Sequence, residues 1–110
     1  MKPSKYGNKK CLINGITFDS KREGHHYLEL LAMERAGIIS NLELQKVFHL
    51  AESCIINGRK KPPLRYIADF CYVQDGKQVV ADSKGMLTDV YKIKRHLMAT
   101  VHHIAIVEIK

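Results

Sequence analysis

Cysteine is scarce in this chain, with three residues among 110. Cys11, Cys54 and Cys71 are odd in number and show no C-x-x-C spacing, so they indicate neither a disulfide framework nor a structural zinc site. A reducing compartment fits that usage. Long apolar runs are missing too. No stretch approaches the roughly 20 residues of a membrane-spanning helix, and Met1-Lys2-Pro3-Ser4-Lys5 leads into no apolar signal core. A cytoplasmic protein with no membrane partner is the expectation. Carboxylates are in deficit: 11 Asp and Glu stand against 18 Lys and Arg, a formal net charge of +7 with a pI near 9.4. Such an excess suits a polyanionic partner, nucleic acid first, although basic composition alone does not name one. There is no internal repeat and no low-complexity segment.

What is present suits one packed domain, since 45% of residues are hydrophobic and 26% charged. Residues 1–10, with Lys2, Lys5, Lys9 and Lys10 among Gly, Asn, Ser and Pro, read as a flexible basic arm that would hold a phosphate backbone. Residues 11–110 read as the single folded domain. Asn14-Gly15 predicts a small hairpin within Cys11–Phe18. Ser20, with Glu23 three residues on, predicts a helix start, and Gly37 its stop. Leu42 to Leu50 reads as a strand that Cys54–Ile56 continues, ahead of Asn57-Gly58 and the basic surface loop Arg59-Lys60-Lys61-Pro62-Pro63.

Asp75-Gly76 between two β-rich runs, Leu64–Val73 and Lys77–Lys84, is a strong hairpin signal. From Asp89 the period becomes helical, with Val90, Ile93, Leu97 and Val101 on one face, and Ile104–Ile109 reads as a buried final strand. The resulting order is α-β-β-β-α-β, an α/β fold with a mixed β-sheet flanked by helices and closed by a crossover unit.

The chemistry lies at the Asp75-Gly76 hairpin. A two-residue turn there places Asp69 opposite Asp82, and like charges directly opposed destabilise a sheet pair unless a cation or a shared proton compensates. Lys84 lies two residues beyond Asp82 on the same strand face, within reach of both. Glu23 shares its helix face with Tyr27, Leu30 and Leu31, an unusual place for a charge. Ser20-x-x-Glu23 is also a capping box, which accounts for Glu23 with no metal, and an ordinary Asp–Lys salt bridge accounts for one of the two aspartates.

Ile67-Ala68-Asp69 followed, after twelve intervening residues, by Asp82-Ser83-Lys84-Gly85 resembles the D…(D/E)-x-K signature of the PD-(D/E)XK nuclease superfamily, with Glu23 matching the acid of its first core helix. The segments Ser4-Lys5-Tyr6-Gly7-Asn8, Phe18-Asp19-Ser20-Lys21-Arg22-Glu23, Leu44-Gln45 and Tyr91-Lys92-Ile93-Lys94 are similar to small phage-encoded endonucleases, a group that includes Holliday-junction-resolving enzymes. The resemblance spans nearly the whole chain. Two departures stand out: Ala68 replaces a frequent Pro, and Asp82 replaces the commoner Glu, shortening that arm by one methylene.

The resemblance implies a restriction-endonuclease-like core and metal-dependent hydrolysis of DNA phosphodiester bonds. Glu23, Asp69, Asp82 and the Ser83 carbonyl would hold Mg²⁺, or Mn²⁺ in its place. Lys84 would act on the attacking water or the scissile phosphate, and Gln45 would stand at the rim. Lys5, Lys9, Lys10, Arg59, Lys60, Lys61, Lys92, Lys94 and Arg95 are the expected DNA contacts. Branched DNA and a two-fold homodimer belong to the same expectation. The adjacent pairs His25-His26 and His102-His103 do not have ligand spacing. The alternative is a nuclease-fold module that binds nucleic acid without cutting it.

Overall fold

The computed structural model describes residues 10–84 and 86–109, so the expected basic arm, apart from Lys10, lies outside the described residues. The core follows the predicted α-β-β-β-α-β order. A first hairpin, β1 (Cys11–Ile13) and β2 (Ile16–Phe18), precedes helix α1 (Lys21–Arg35). Then come β3 (Ser40–Ala51), β4 (Cys54–Ile56), β5 (Arg59–Lys61), β6 (Leu64–Gln74), β7 (Lys77–Ser83), α2 (Asp89–Val101) and β8 (Val107–Ile109). The central sheet runs β3-β6-β7-β8, antiparallel except for the β7–β8 pair, which α2 connects as a crossover. Among the described residues no helix is long and apolar enough to cross a membrane.

All three Asn/Asp-Gly signals form two-residue hairpin turns, with positive φ at both central residues of each: Asn14-Gly15, Asn57-Gly58 and Asp75-Gly76. That pattern is the type I′ turn, whose twist matches the flanking strands. Helix α1 starts at Ser20, whose hydroxyl accepts from the Glu23 amide at 3.1 Å. It ends where Gly37 turns left-handed (φ 78°), with amide bonds from Gly37 to the Glu34 carbonyl and from Ile38 to the Met33 carbonyl. These two bonds make a Schellman cap and satisfy carbonyls the helix would otherwise leave open.

The two helices cover opposite faces of the sheet. Tyr27 and Leu30 of α1 pack with Phe70, Tyr72 and Ala81, while Tyr91 and Met98 of α2 pack with Tyr66, Ala68 and Val80. Val80 and Ala81 are neighbours on β7, so their side chains point to opposite faces. Burying side chains such as Leu30, Phe70 and Met98 contributes about 1.5–3 kcal/mol each.

Strand alternation is broken at one place. On β6, Tyr66 and Ala68 face α2, whereas Phe70 and Tyr72 face α1; on β3, Phe48 and Leu50 face α2, whereas Leu42 and Leu44 face α1. Both strands therefore exchange faces together, between the pairs Leu44↔Phe70 and Lys46↔Ala68, while their register holds. The residues at the changeover are Gln45 and Asp69. Gln45 carries a left-handed backbone (φ 54°), which costs a non-glycine residue on the order of 1–3 kcal/mol and persists only where the surroundings impose it. A β-branched side chain fits that backbone worst. Gln45→Val is expected to lower the melting temperature by about 5–10 °C, whereas Gln45→Asn is expected to stay within about 2 °C, because Asn tolerates this region. Thermal melts of both variants check this, and equal losses would sink the account.

Three expectations are corrected. Cys54–Ile56 does not continue the central sheet, because the turn at Asn57-Gly58 folds it against Arg59–Lys61; the expected basic loop is the second strand of this separate, fully exposed hairpin. The final strand is not a buried run from Ile104. It spans only Val107–Ile109 at the sheet edge, because the left-handed His103 (φ 57°) and the bond from the Ile104 amide to the Met98 carbonyl still belong to the end of α2. On α2 the buried residues are Tyr91 and Met98, while Val90 and Ile93 are 62% and 61% exposed. The buried stripe lies one position beside the aliphatic one, because the Tyr91 hydroxyl has a carboxylate partner in Glu108.

Candidate active site

The β6–β7 ladder pairs Phe70↔Ala81 through Gln74↔Lys77 and goes no further towards Asp69 and Asp82, the next positions along. There the strands fork. The Ser83 amide, instead of bonding across the ladder, donates to Asp69 Oδ2 at 2.9 Å. The Asp69 carboxyl lies within hydrogen-bonding reach of both Asp82 and Glu23. The face exchange at Asp69 explains how one aspartate meets both. Glu23 comes from the α1 side and Asp82 from the α2 side, and a regularly alternating strand would reach only one of them.

Burial is severe for these acids: Asp82 is 1% and Glu23 7% exposed. Burial, the hydrogen bond to Asp82 and the charges of Asp82 and Glu23 push the Asp69 pKa to about 8, against the Ser83 amide, which favours its charged form. Glu23 is raised as well, by burial first, then by the charges of Asp19 and Asp82. At neutral pH Asp69 therefore holds on to its proton, as expected of a carboxyl set against other carboxylates with no cation between them. The capping role of Glu23 coexists with this one. Its amide bonds Ser20, but its carboxylate meets the backbone of Asp19 and the Asp69 side chain.

Two donors converge on Asp82 Oδ2. One is Lys84, with Nζ 3.1 Å away; the other is the Tyr66 hydroxyl. Burial and the Asp82 carboxylate push the Tyr66 pKa far up, so the phenol stays a donor. Lys84 Nζ also lies 4.6 Å above the Tyr91 ring, a cation–π contact that helps hold it at the fork. Tyr66 went unread in the sequence because strict alternation puts it on the face opposite Asp69; only the exchange of faces brings it to the acids.

The other predicted residues divide sharply. Gln45 lines a cleft of about 190 Å³ with Thr17, Asp19 and Glu23. Gly24 lies so close to the first hairpin that an added Cβ would stand 2.9 Å from Ile13, so this hairpin seats the helix turn that carries Glu23. Arg59, Lys60 and Lys61 are exposed on their hairpin, and Lys10 and Lys92 are exposed too. Lys94 lines a second cleft, beside Lys84. Arg95, by contrast, turns inward to Glu108 at 2.9 Å and to the Tyr91 ring, so it secures α2 to β8. Lys5 and Lys9 lie outside the described residues. His26 packs edge-on against Phe70, and its Nε2 finds no hydrogen-bond partner among the described residues; burial lowers its pKa.

Three carboxylates form a hard oxygen donor set, which suits Mg²⁺ or Mn²⁺ in kind. As they stand, no group of three or more His, Cys, Asp or Glu side chains among the described residues is placed to hold a metal ion. A cation that replaced the proton would relieve the same repulsion, so the donors fit such a metal in chemistry and in charge.

Fold and site together define an α/β domain with a buried carboxylate–lysine cluster at a strand fork. The chain belongs to the family described as Protein of unknown function (DUF1064), which it matches over residues 3–107. Comparison with curated proteins and with solved structures gives no match.

Proposed function

We propose that the chain is a divalent-metal-dependent DNA endonuclease working at the β6–β7 fork. The observation that carries this reading is the convergence of Glu23, Asp69 and Asp82, from three separate elements, with Lys84 Nζ 3.1 Å from Asp82 Oδ2. A salt bridge would need one aspartate and one lysine; a second acid set against the buried Asp82 is costly and serves best as part of a cation site. The +7 charge suits DNA, and the D…D-x-K resemblance points the same way.

In this reading Glu23, Asp69, Asp82 and the Ser83 carbonyl hold Mg²⁺ or Mn²⁺. Such an ion, when bound, neutralises phosphate charge and acidifies an attacking water. Tyr66 keeps Asp82 oriented through its hydroxyl. Lys84 presents its ammonium at the mouth of the fork, where it orients the water or neutralises the scissile phosphate. Two symmetric cuts in branched DNA would come from a homodimer, and a cytoplasmic setting completes the proposal.

Mn²⁺ titration is expected to raise the melting temperature and to release about one proton per ion near pH 7, because the proton held on Asp69 must leave. Calorimetry in buffers of different ionisation enthalpy measures that proton. Cleavage of junction, flap, duplex and single-stranded DNA with Mg²⁺ or Mn²⁺ tests the activity. DNA binding without any cleavage would replace this reading with that of a non-catalytic module.

A further inference from the structure

The fork opens into a cleft of about 330 Å³ whose lining includes Arg65, Lys84, Thr88, Tyr91 and Lys94. The geometry points to this cleft as the seat of the sugar–phosphate backbone next to the reacting phosphate, with Arg65 and Lys94 as its phosphate ligands. The inference rests on the nuclease reading for what happens at the acids, but its own evidence is separate.

Arg65 lies on the stretch of β6 that β7 leaves unpaired and Lys94 lies on α2; both line the cleft, and neither is ion-paired with a carboxylate among the described residues. Other cations near the site have acidic partners: Lys84 holds Asp82, and Arg95 holds Glu108. Two unpaired cations at the lining of one open cleft attract an anion, and a guanidinium is suited to bidentate phosphate contact. Lys84 is the shared wall between cleft and acids. A phosphate between Arg65 and Lys94 would thus have its neighbour in the strand beside Lys84.

The opposite cleft is acidic. It contains Asp19 and Glu23, and no Lys or Arg is among the residues that line it. The strand therefore approaches from the α2 side, away from Asp19 and Glu23. Lys61 lies four residues before Arg65, at most about 14 Å of extended chain, so the exposed Arg59–Lys61 hairpin prolongs the same cationic path.

The test uses the full chain and a fluorescent DNA duplex in EDTA, with salt titrations on wild type, Arg65→Ala, Lys94→Ala and Lys77→Ala. Lys77 begins β7, about 20 Å along the strand from Ser83, and controls for loss of one positive charge. Arg65→Ala and Lys94→Ala are each expected to weaken binding about 5–20-fold and to flatten the salt slope by about 0.9, one phosphate each. Lys77→Ala should change affinity less than about 2-fold. Melting temperatures within about 2 °C of wild type show that these exposed or half-exposed positions leave the fold intact. Equal effects from all three variants, or none from Arg65 and Lys94, would overturn the cleft assignment. Wild-type Mg²⁺ cleavage is measured in parallel. Cleavage with unaltered Arg65→Ala and Lys94→Ala binding rejects the cleft alone, whereas weakened binding in a protein that never cleaves supports the cleft and rejects the nuclease reading.

Discussion

Lys84→Ala is expected to lose about 10²–10⁴-fold in DNA turnover while keeping its metal. The lysine touches Asp82 but stands outside the proposed ligand set. Its removal takes a positive charge from beside a carboxylate, which leaves the affinity for a divalent cation unchanged or tighter. Asp82 still accepts from Tyr66, so the buried carboxylate is not orphaned. Asp82→Asn should instead lose metal and cleavage together. Metal affinity, DNA binding in Ca²⁺ and Mg²⁺-dependent cleavage are measured on both variants after a fold check. Full cleavage by Lys84→Ala rejects its catalytic assignment, and undiminished cleavage by both rejects the site.

Asp69→Asn is expected to abolish cleavage and metal-induced stabilisation and yet to make the metal-free protein more stable at alkaline pH. The amide has the shape and donor pattern of the protonated acid, so it can accept from the Ser83 amide and donate to Asp82. In the folded wild type, Asp69 binds its proton up to about pH 8, well above the ordinary carboxylate range of the unfolded chain. The folded state therefore holds more protons than the unfolded one between those limits, and stability falls as pH rises through that window. Asn cannot titrate, so this loss disappears. With Asp69 partly open to solvent, the gain at pH 8 is on the order of 1 kcal/mol, or about 4–8 °C in melting temperature. Thermal melts at pH 5 and pH 8, with and without Mn²⁺, measure it. A variant that melts well below wild type at pH 8 in EDTA would mean that Asp69 is needed for the fold as a charged group, and a retained Mn²⁺ shift would remove it from the ligand set.

Local chemistry made much of the architecture legible. Asn-Gly and Asp-Gly dipeptides marked turns because positive φ at two successive residues suits few others. Ser20 and Gly37 marked the ends of α1 because open helix termini need such partners. The Asp75-Gly76 turn then set the register that brings Asp69 and Asp82 together, so the sequence by itself determined the acid pair, the neighbouring Lys84 and the buried side of Glu23.

Only the tertiary structure decided the rest. The exchange of faces at Gln45 and Asp69 is a concerted property of two paired strands, invisible to alternation counted along either one. It places Tyr66 on Asp82 and lets Asp69 reach Glu23 from one side of the sheet and Asp82 from the other. The buried stripe of α2 likewise follows its partners, since the Tyr91 hydroxyl and Arg95 both find Glu108 while the more apolar Val90 and Ile93 stay in water. Pattern reports what each segment can bury; which atoms then meet depends on the shape of the sheet they are pressed against.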